Sequence, residues 1–271
     1  MKLKEYPISF YHTWRLKSIF VDGLSKRKPE FLPIVISFTT IRSRLNKVEI
    51  TVRSILNQSK QPEMVLLWLN ENDKNYIPSS LKELEGDVFK IFYTKRTSSH
   101  KKLIHTLESY PDKIIVTCDD DFIYDNLWLE KMYAEHLKFP NAIIANQTRQ
   151  IKYNAEGELL DYKFWVNNDK SKVNNILAIG AAGILYPPKS LPEITINYDL
   201  AIELAPKADD LWFKAMALLN NTEVRQSANV PKNLIPIFGT QKISLKKENV
   251  DKNMNVLQWE SLTKYFNLKL S

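Results

Sequence analysis

Three consecutive carboxylates, Asp119-Asp120-Asp121, follow Cys118 at the end of the apolar run Ile114-Ile115-Val116. At about 5 Å and an effective dielectric near 20, each like-charged pair repels by roughly 3 kcal/mol. A folded chain keeps three together mainly where a cation or a donor network offsets them. Hard divalent ions such as Mg²⁺ and Mn²⁺ take oxygen ligands, usually one or two carboxylates with substrate phosphates and water. The cluster therefore points to a metal carrying a phosphorylated ligand; capping of a following helix explains one carboxylate but not three. A second acidic pair, Asp209-Asp210, opens a segment of helical period after Pro206. Asp209 suffices as a cap, and a second carboxylate on a rigid element can serve as general base toward an attacking hydroxyl. Lys101-Lys102 begin another helix, where cations oppose the macrodipole. An anionic partner such as a diphosphate offsets that cost, and the alternative is a pair of surface lysines.

The elements that position these residues follow from periodicity. Apolar runs Ile34–Phe38, Met64–Leu69, Val88–Tyr93 and Lys113–Thr117 alternate with helical segments, which predicts an α/β chain with a mostly parallel sheet. Leu45, Val48, Val52, Ile55 and Leu56 recur at helical spacing, and Asn57-Gln58-Ser59 ends that helix. Further helices are expected over Leu127 to Leu137 and Asp210 to Leu219. In the second half, Thr148–Tyr153 and Leu159–Trp165 flank Asn154-Ala155-Glu156-Gly157 as a β-hairpin insertion would, and Asn167–Asn175 reads as a polar loop. Gly180-Ala181-Ala182-Gly183 offers small residues where backbone can approach a ligand or another segment. The organisation expected is a basic-aromatic arm over 1–30, one domain over 31–240, and a basic helical extension over 241–271.

The net charge of +7 is confined to the ends. Residues 1–30 hold seven Lys/Arg against three Asp/Glu, residues 242–271 six against three, and the stretch between them 25 of each. A neutral body with basic ends argues against a nucleic-acid surface and suits contact with anionic lipid or a polyanionic substrate, or simply solvated tails. In the arm, Phe10, Tyr11, Trp14, Leu16, Ile19 and Phe20 interleave with His12, Arg15 and Lys17. An amphipathic helix there fits either a membrane interface or docking on the protein's own body. The single cysteine, Cys118, excludes an internal disulfide framework, and no apolar run is long enough to span a bilayer. A cytoplasmic location is expected, with peripheral contact at the inner membrane as a further possibility.

No glycine-rich dinucleotide or phosphate loop, His-Glu-x-x-His or Gly-x-Ser-x-Gly motif is present, and six glycines leave little for a phosphate cradle. The ordered set Ile36-Ser37-Phe38-Thr39-Thr40 with Arg44, Ser54-Ile55-Leu56-Asn57-Gln58 with Pro62, Lys101-Lys102-Leu103, Tyr110-Pro111-Asp112 leading to Asp119–Asp121, Gly180 to Pro188, and Ala208-Asp209-Asp210-Leu211-Trp212 resembles bacterial glycosyltransferases of the GT-A fold. The likeness runs from about residue 33 to 220, to the family 2-like group that builds lipopolysaccharide and capsular polysaccharide.

That resemblance implies a nucleotide-diphosphate sugar donor, UDP-sugar favoured, and a glycan or lipid-linked saccharide acceptor. It implies Mn²⁺ or Mg²⁺ on Asp121 with Asp119, and donor contacts from Ser37, Thr39, Arg44, Lys101, Lys102, Asp119 and Asp120. It further implies an inverting displacement with Asp210 as base, Asp209 being the runner-up, and an acceptor site near Gly183, Tyr186 and Trp212. One departure is that no histidine follows His136 to complete a metal site, which leaves water, Asn255 or no protein group in that place. Two other readings stand beside it. One is a metal-dependent nucleotidyltransferase making activated sugars, against which the loop Phe38-Thr39-Thr40-Ile41-Arg42 lacks the usual glycines. The other is a non-catalytic carbohydrate-binding protein stacking sugars on Trp165, Trp212 and Tyr186.

Overall fold

The computed structural model describes residues 5–166, 173–230, 234–240 and 253–270. The helices are α1 (Glu5–Lys17), α2 (Val21–Ser25), α3 (Leu45–Leu56), α4 (Ser79–Lys82), α5 (Lys101–Ser109), α6 (Trp128–Lys138), α7 (Tyr198–Leu204), α8 (Asp209–Leu219) and α9 (Met254–Phe266). The main sheet contains β1 (Phe31–Thr39), β2 (Gln61–Asn70), β3 (Phe89–Thr94), β4 (Ile114–Thr117), β6 (Ile143–Ala145), β9 (Ile184–Tyr186) and β10 (Val224–Gln226), in the order β10-β6-β9-β4-β1-β2-β3. β1 pairs in parallel with β2 and β4, β2 with β3, and β10 with β6; only β9 runs antiparallel to its neighbours. The mostly parallel α/β architecture expected from the apolar runs is thus present.

Side chains alternate across the pleat, and the alternation divides the core into two layers. Ile34, Ile36, Phe38, Val65, Leu67, Leu69, Val116, Ile144 and Leu185 bury against α3 and α6. Their neighbours Ile115, Ile143, Ala145, Ile184 and Tyr186 bury on the opposite face against α5, α7, α8 and α9. Apolar residues on both faces explain why these strands read as continuous runs.

Two short pairs complete the structure: β5 (Phe122–Ile123) with β11 (Ile235–Pro236), and β7 (Thr148–Gln150) with β8 (Ile176–Ala178). The insertion is a hairpin only at its tip. A bridge joins Tyr153 to Leu159, and the Leu160 N–H donates to Lys152 O, but the arms do not continue as paired strands. The reason is packing: a 3₁₀ turn at Tyr162–Phe164 swings Tyr162 and Trp165 into the core, and Thr148–Gln150 pairs with β8 instead. Most of the loop expected at Asn167–Asn175, and the start of the basic extension at 241–252, lie outside the described residues.

Candidate active site

The strand order places β4 on one side of β1 and β2 on the other, so the chain reverses its winding direction at β1/β4. In open α/β sheets, ligands bind outside the carboxyl ends of the strands at such a switch point. Ser37 of β1 registers with Thr117 of β4, which brings Thr39-Thr40 and Asp119–Asp121 to the same edge.

The repulsion in the triplet is offset by the protein's own cations. Arg44 Nη1 bonds Asp120, and its Nη2 lies 3.2 Å from Asp121. Thr40 donates a short hydrogen bond to Asp120. Burial raises the Asp120 carboxyl above its ordinary value, while Arg44 and Thr40 pull it back. Asp119 turns the other way: its Oδ1 lies 3.2 Å from Lys102 Nζ and its side chain remains 38% exposed. Tyr124 locks the backbone behind it, accepting from the Asp119 N–H at 2.9 Å and sharing its hydroxyl with Asp119 O and Ala181 O.

Lys102 joins the two acidic motifs. Its ammonium lies 3.1 Å from Asp209 Oδ2, an ion-pair distance without hydrogen-bond alignment. Burial opposes the charge on Lys102, but Asp209, Asp119 and Asp210 hold the ammonium well above its ordinary value. Asp209 is subject to burial, which raises it, yet Lys102 and then His100 keep its carboxyl below the usual range. Asp210 is different. Burial, then the charge on Asp209, pushes it up to about 8 against the pull of Lys102. The Gly180 N–H donates to both its oxygens at 3.2 and 3.3 Å. A Cβ added at Gly180 would lie 3.3 Å from both Asp210 Oδ1 and Lys102 Nζ, so the glycine leaves room where the acidic motifs meet.

The Lys101 side chain is buried with no ion pair or hydrogen bond among the described residues; burial pushes its amine down to about 8, with Asp73 opposing. Beside Asp210, a cavity of about 10 Å³ is lined by Ile143, Ala178, Tyr186, Asp210, Phe213, Lys214, Ala217 and Val224. It is large enough for about one water. Burial pushes the Lys214 amine down to about 7. Lys214 was not among the residues singled out from sequence. It lies four positions after Asp210, the one cation within Leu211–Leu219, and a lone charge on an apolar helix was the available signal.

Several expected roles do not survive this geometry. Ser37 is fully buried; its Oγ donates to Lys102 O and accepts from Thr106, so it ties α5 to β1 and has no surface for a nucleotide. Thr39 Oγ1 donates to Trp68 O at 2.7 Å, spending its donor on β2. The acceptor-site residues are packing residues. Gly183 has φ +101 and faces Trp128, where a Cβ would approach the ring to 2.6 Å. Tyr186 is buried against Phe213, and Trp212 is buried with its Nε1 donating to Thr195 O. Trp165 is equally buried, which removes the stacking platform of a carbohydrate-binding protein.

Nor do the residues fit the expected metal centre. Asp121 is committed to Arg44 and Asp119 to Lys102, and among the described residues no three His, Cys, Asp or Glu side chains converge as metal ligands would. Asn255 is buried on α9, in the layer with Trp259.

No family model matches the chain, and no curated protein matches it. Among solved structures, it is similar to 4-diphosphocytidyl-2C-methyl-D-erythritol synthase from Anaerococcus prevotii DSM 20548, at 17% identity and a TM-score of 0.46, covering 88% of this chain and 98% of that one. It is also similar to CMP:2-keto-3-deoxy-manno-octonic acid synthetase complexed with CTP, at 12% identity and a TM-score of 0.41, covering 71% and 87%. With Asp121 paired to Arg44 and Asp119 to Lys102, the Asp triplet does not form the metal-diphosphate anchor that the glycosyltransferase expectation required. That expectation is therefore withdrawn.

Proposed function

We propose that the chain is a nucleotidyltransferase that joins the nucleoside monophosphate unit of a nucleoside triphosphate to an oxygen of a small sugar-derived acceptor, releasing pyrophosphate. The observation that supports this reading is the meeting of a fixed ammonium, Lys102, with Asp119, Asp209 and Asp210 at the β1/β4 switch point. Lys101, buried and with no ion-pair contact among the described residues, Asp73 acting on it only from a distance, is the cation for triphosphate oxygens. Binding of the anion favours its charged form and raises the amine again, and the positive end of α5 adds to the attraction.

Asp210 takes the proton from the acceptor hydroxyl; that oxygen bonds to the α-phosphorus as the bond to the pyrophosphate oxygen breaks. A carboxyl near 8 suits this step, because a base is most effective when its pKa lies near the working pH. Asp209, held ionised by Lys102, keeps Asp210 basic through its own charge. Arg44 offsets part of the charge of Asp120 and Asp121, which lessens the repulsion that an incoming polyphosphate meets at the rim of the cleft. One similar structure is a synthetase complexed with CTP, and cytidine is the first base to try.

The test is pyrophosphate release from each of the four nucleoside triphosphates, supplied with a mixture of sugar phosphates and sugar acids. One triphosphate should release pyrophosphate only when acceptor is present. Hydrolysis of a nucleotide-sugar with no turnover of any triphosphate would overturn the proposal.

A further inference from the structure

Helix α1 is turned inside out relative to an ordinary surface helix. At 100° per residue, Glu5, Ser9, Thr13 and Leu16 share one face, and Phe10, Trp14 and Tyr11 share the opposite one. It is the polar, small-residue face that meets the body. Ser9 and Leu16 are buried, and the hydroxyls of Ser9 and Thr13 are enclosed there without a hydrogen-bond partner. Leu16 packs with Ile50, Ile123 and Ile237. Arg53 donates to Leu16 O at 3.2 Å and Ile19 O at 2.9 Å, fixing the helix end in this orientation.

The aromatic face is left in solvent: Phe10 is 74% exposed, Tyr11 56%, Trp14 63%, and Phe20, just beyond the helix, 87%. Phe238, 57% exposed, extends the patch through an edge contact with Tyr6 at 5.6 Å. A helix that encloses unsatisfied hydroxyls while presenting its aromatics outward is arranged for something that covers the outer face.

The charge around it indicates what that is. Arg15 and Lys17 flank the aromatics, Lys17 pairing with Glu49, and Lys47 lies 5.4 Å from the Phe238 ring centre. Residues 1–30 carry seven cations against three anions, the acidic groups being Glu5, Asp22 and Glu30. Among the described residues no helix is long and apolar enough to cross a membrane. Amphipathic aromatic rings interleaved with long cations suit the headgroup layer, where rings sit at the acyl boundary and Lys and Arg reach anionic headgroups.

We infer that α1 and the segment to Phe20 form a membrane-surface anchor, inserting Phe10, Trp14 and Phe20 into the interface of an anionic bilayer. The test is co-sedimentation of the full chain with vesicles of phosphatidylcholine containing about one-third phosphatidylglycerol, beside pure phosphatidylcholine. The chain should sediment with the anionic vesicles, less with the neutral ones, and less as salt rises. The double variant Phe10→Ser/Trp14→Ser, altered only at exposed positions, should bind at least about tenfold more weakly with an unchanged melting temperature. Three outcomes would overturn the anchor: no sedimentation with anionic vesicles, equal sedimentation of the double variant, or a dimer in solution abolished by the double variant with no vesicle binding. The last would show that a second copy of the chain covers the face.

Discussion

Replacing Lys102 with methionine removes the cation between the two acidic motifs while keeping most of the side chain's volume. The Lys102–Asp209 contact, at 3.1 Å between groups 6% and 12% exposed, is worth roughly 5 kcal/mol at an effective dielectric near 20, before desolvation. The Asp119 contact is similar in length, but that carboxylate is 38% exposed, so solvent reduces its share to about 1 kcal/mol or less. Stranding the buried Asp209 sets the scale, and the loss should be about 3–5 kcal/mol. The sign with pH follows from protons. In the native chain Asp209 lies below its unfolded value, so its contribution is present above the usual Asp range and is lost only as pH falls through the lower folded value. In Lys102→Met, burial and the neighbouring Asp210 act without the cation, so the folded variant holds more protons than its unfolded chain. It therefore loses stability as pH rises, and its deficit is larger near pH 8 than near pH 5. Urea unfolding at both pH values measures it. Equal stability near pH 8, or a deficit that grows on acidification, would refute the reasoning.

Asp210→Asn should leave triphosphate affinity within about twofold while lowering turnover by roughly 10²–10⁴, and the native kcat at saturating triphosphate, where Lys101 is held charged by the bound anion, should rise with pH through about 8 as Asp210 loses its proton; a flat profile would place the base elsewhere. Lys214→Met should stabilise the fold by about 2–4 kcal/mol near pH 7. The native amine lies near 7 when folded against an ordinary value of 10.5, so its cost is full below pH 7 and fades toward pH 10; denaturant midpoints across that range should rise in the native chain but not in the variant. Gly183→Ala should destabilise by about 1–3 kcal/mol or more, because φ is +101 and the new methyl would meet the Trp128 ring at 2.6 Å; thermal melting reads the loss.

Regular features of the chain were legible because they depend on local periodicity. The runs at Ile34–Phe38 and Met64–Leu69, and the helix from Leu45, lie within β1, β2 and α3. The hairpin was misread in extent because Trp165 is held by the tertiary core, a force that alternation and turn residues do not encode. At the site, the electrostatic anomaly of Asp119–Asp121 was visible, but the counter-charge was not. Arg44 and Lys102 stand 76 and 17 positions from their partners Asp120 and Asp119, and strand order alone brings them together. Gly183, Tyr186 and Trp212 looked suited to a sugar because aromatics and glycines serve ligands and packing alike; burial decides between the two.

The most direct test of the central claim is calorimetric titration of the native chain and Lys101→Ala with CTP, UTP, ATP and GTP, followed by pyrophosphate release with the triphosphate that binds. The account predicts one preferred triphosphate bound at a single site, affinity reduced at least about tenfold in Lys101→Ala, and acceptor-dependent release of pyrophosphate that Asp210→Asn abolishes. Absence of binding by all four triphosphates, or binding that Lys101→Ala leaves untouched, would contradict it.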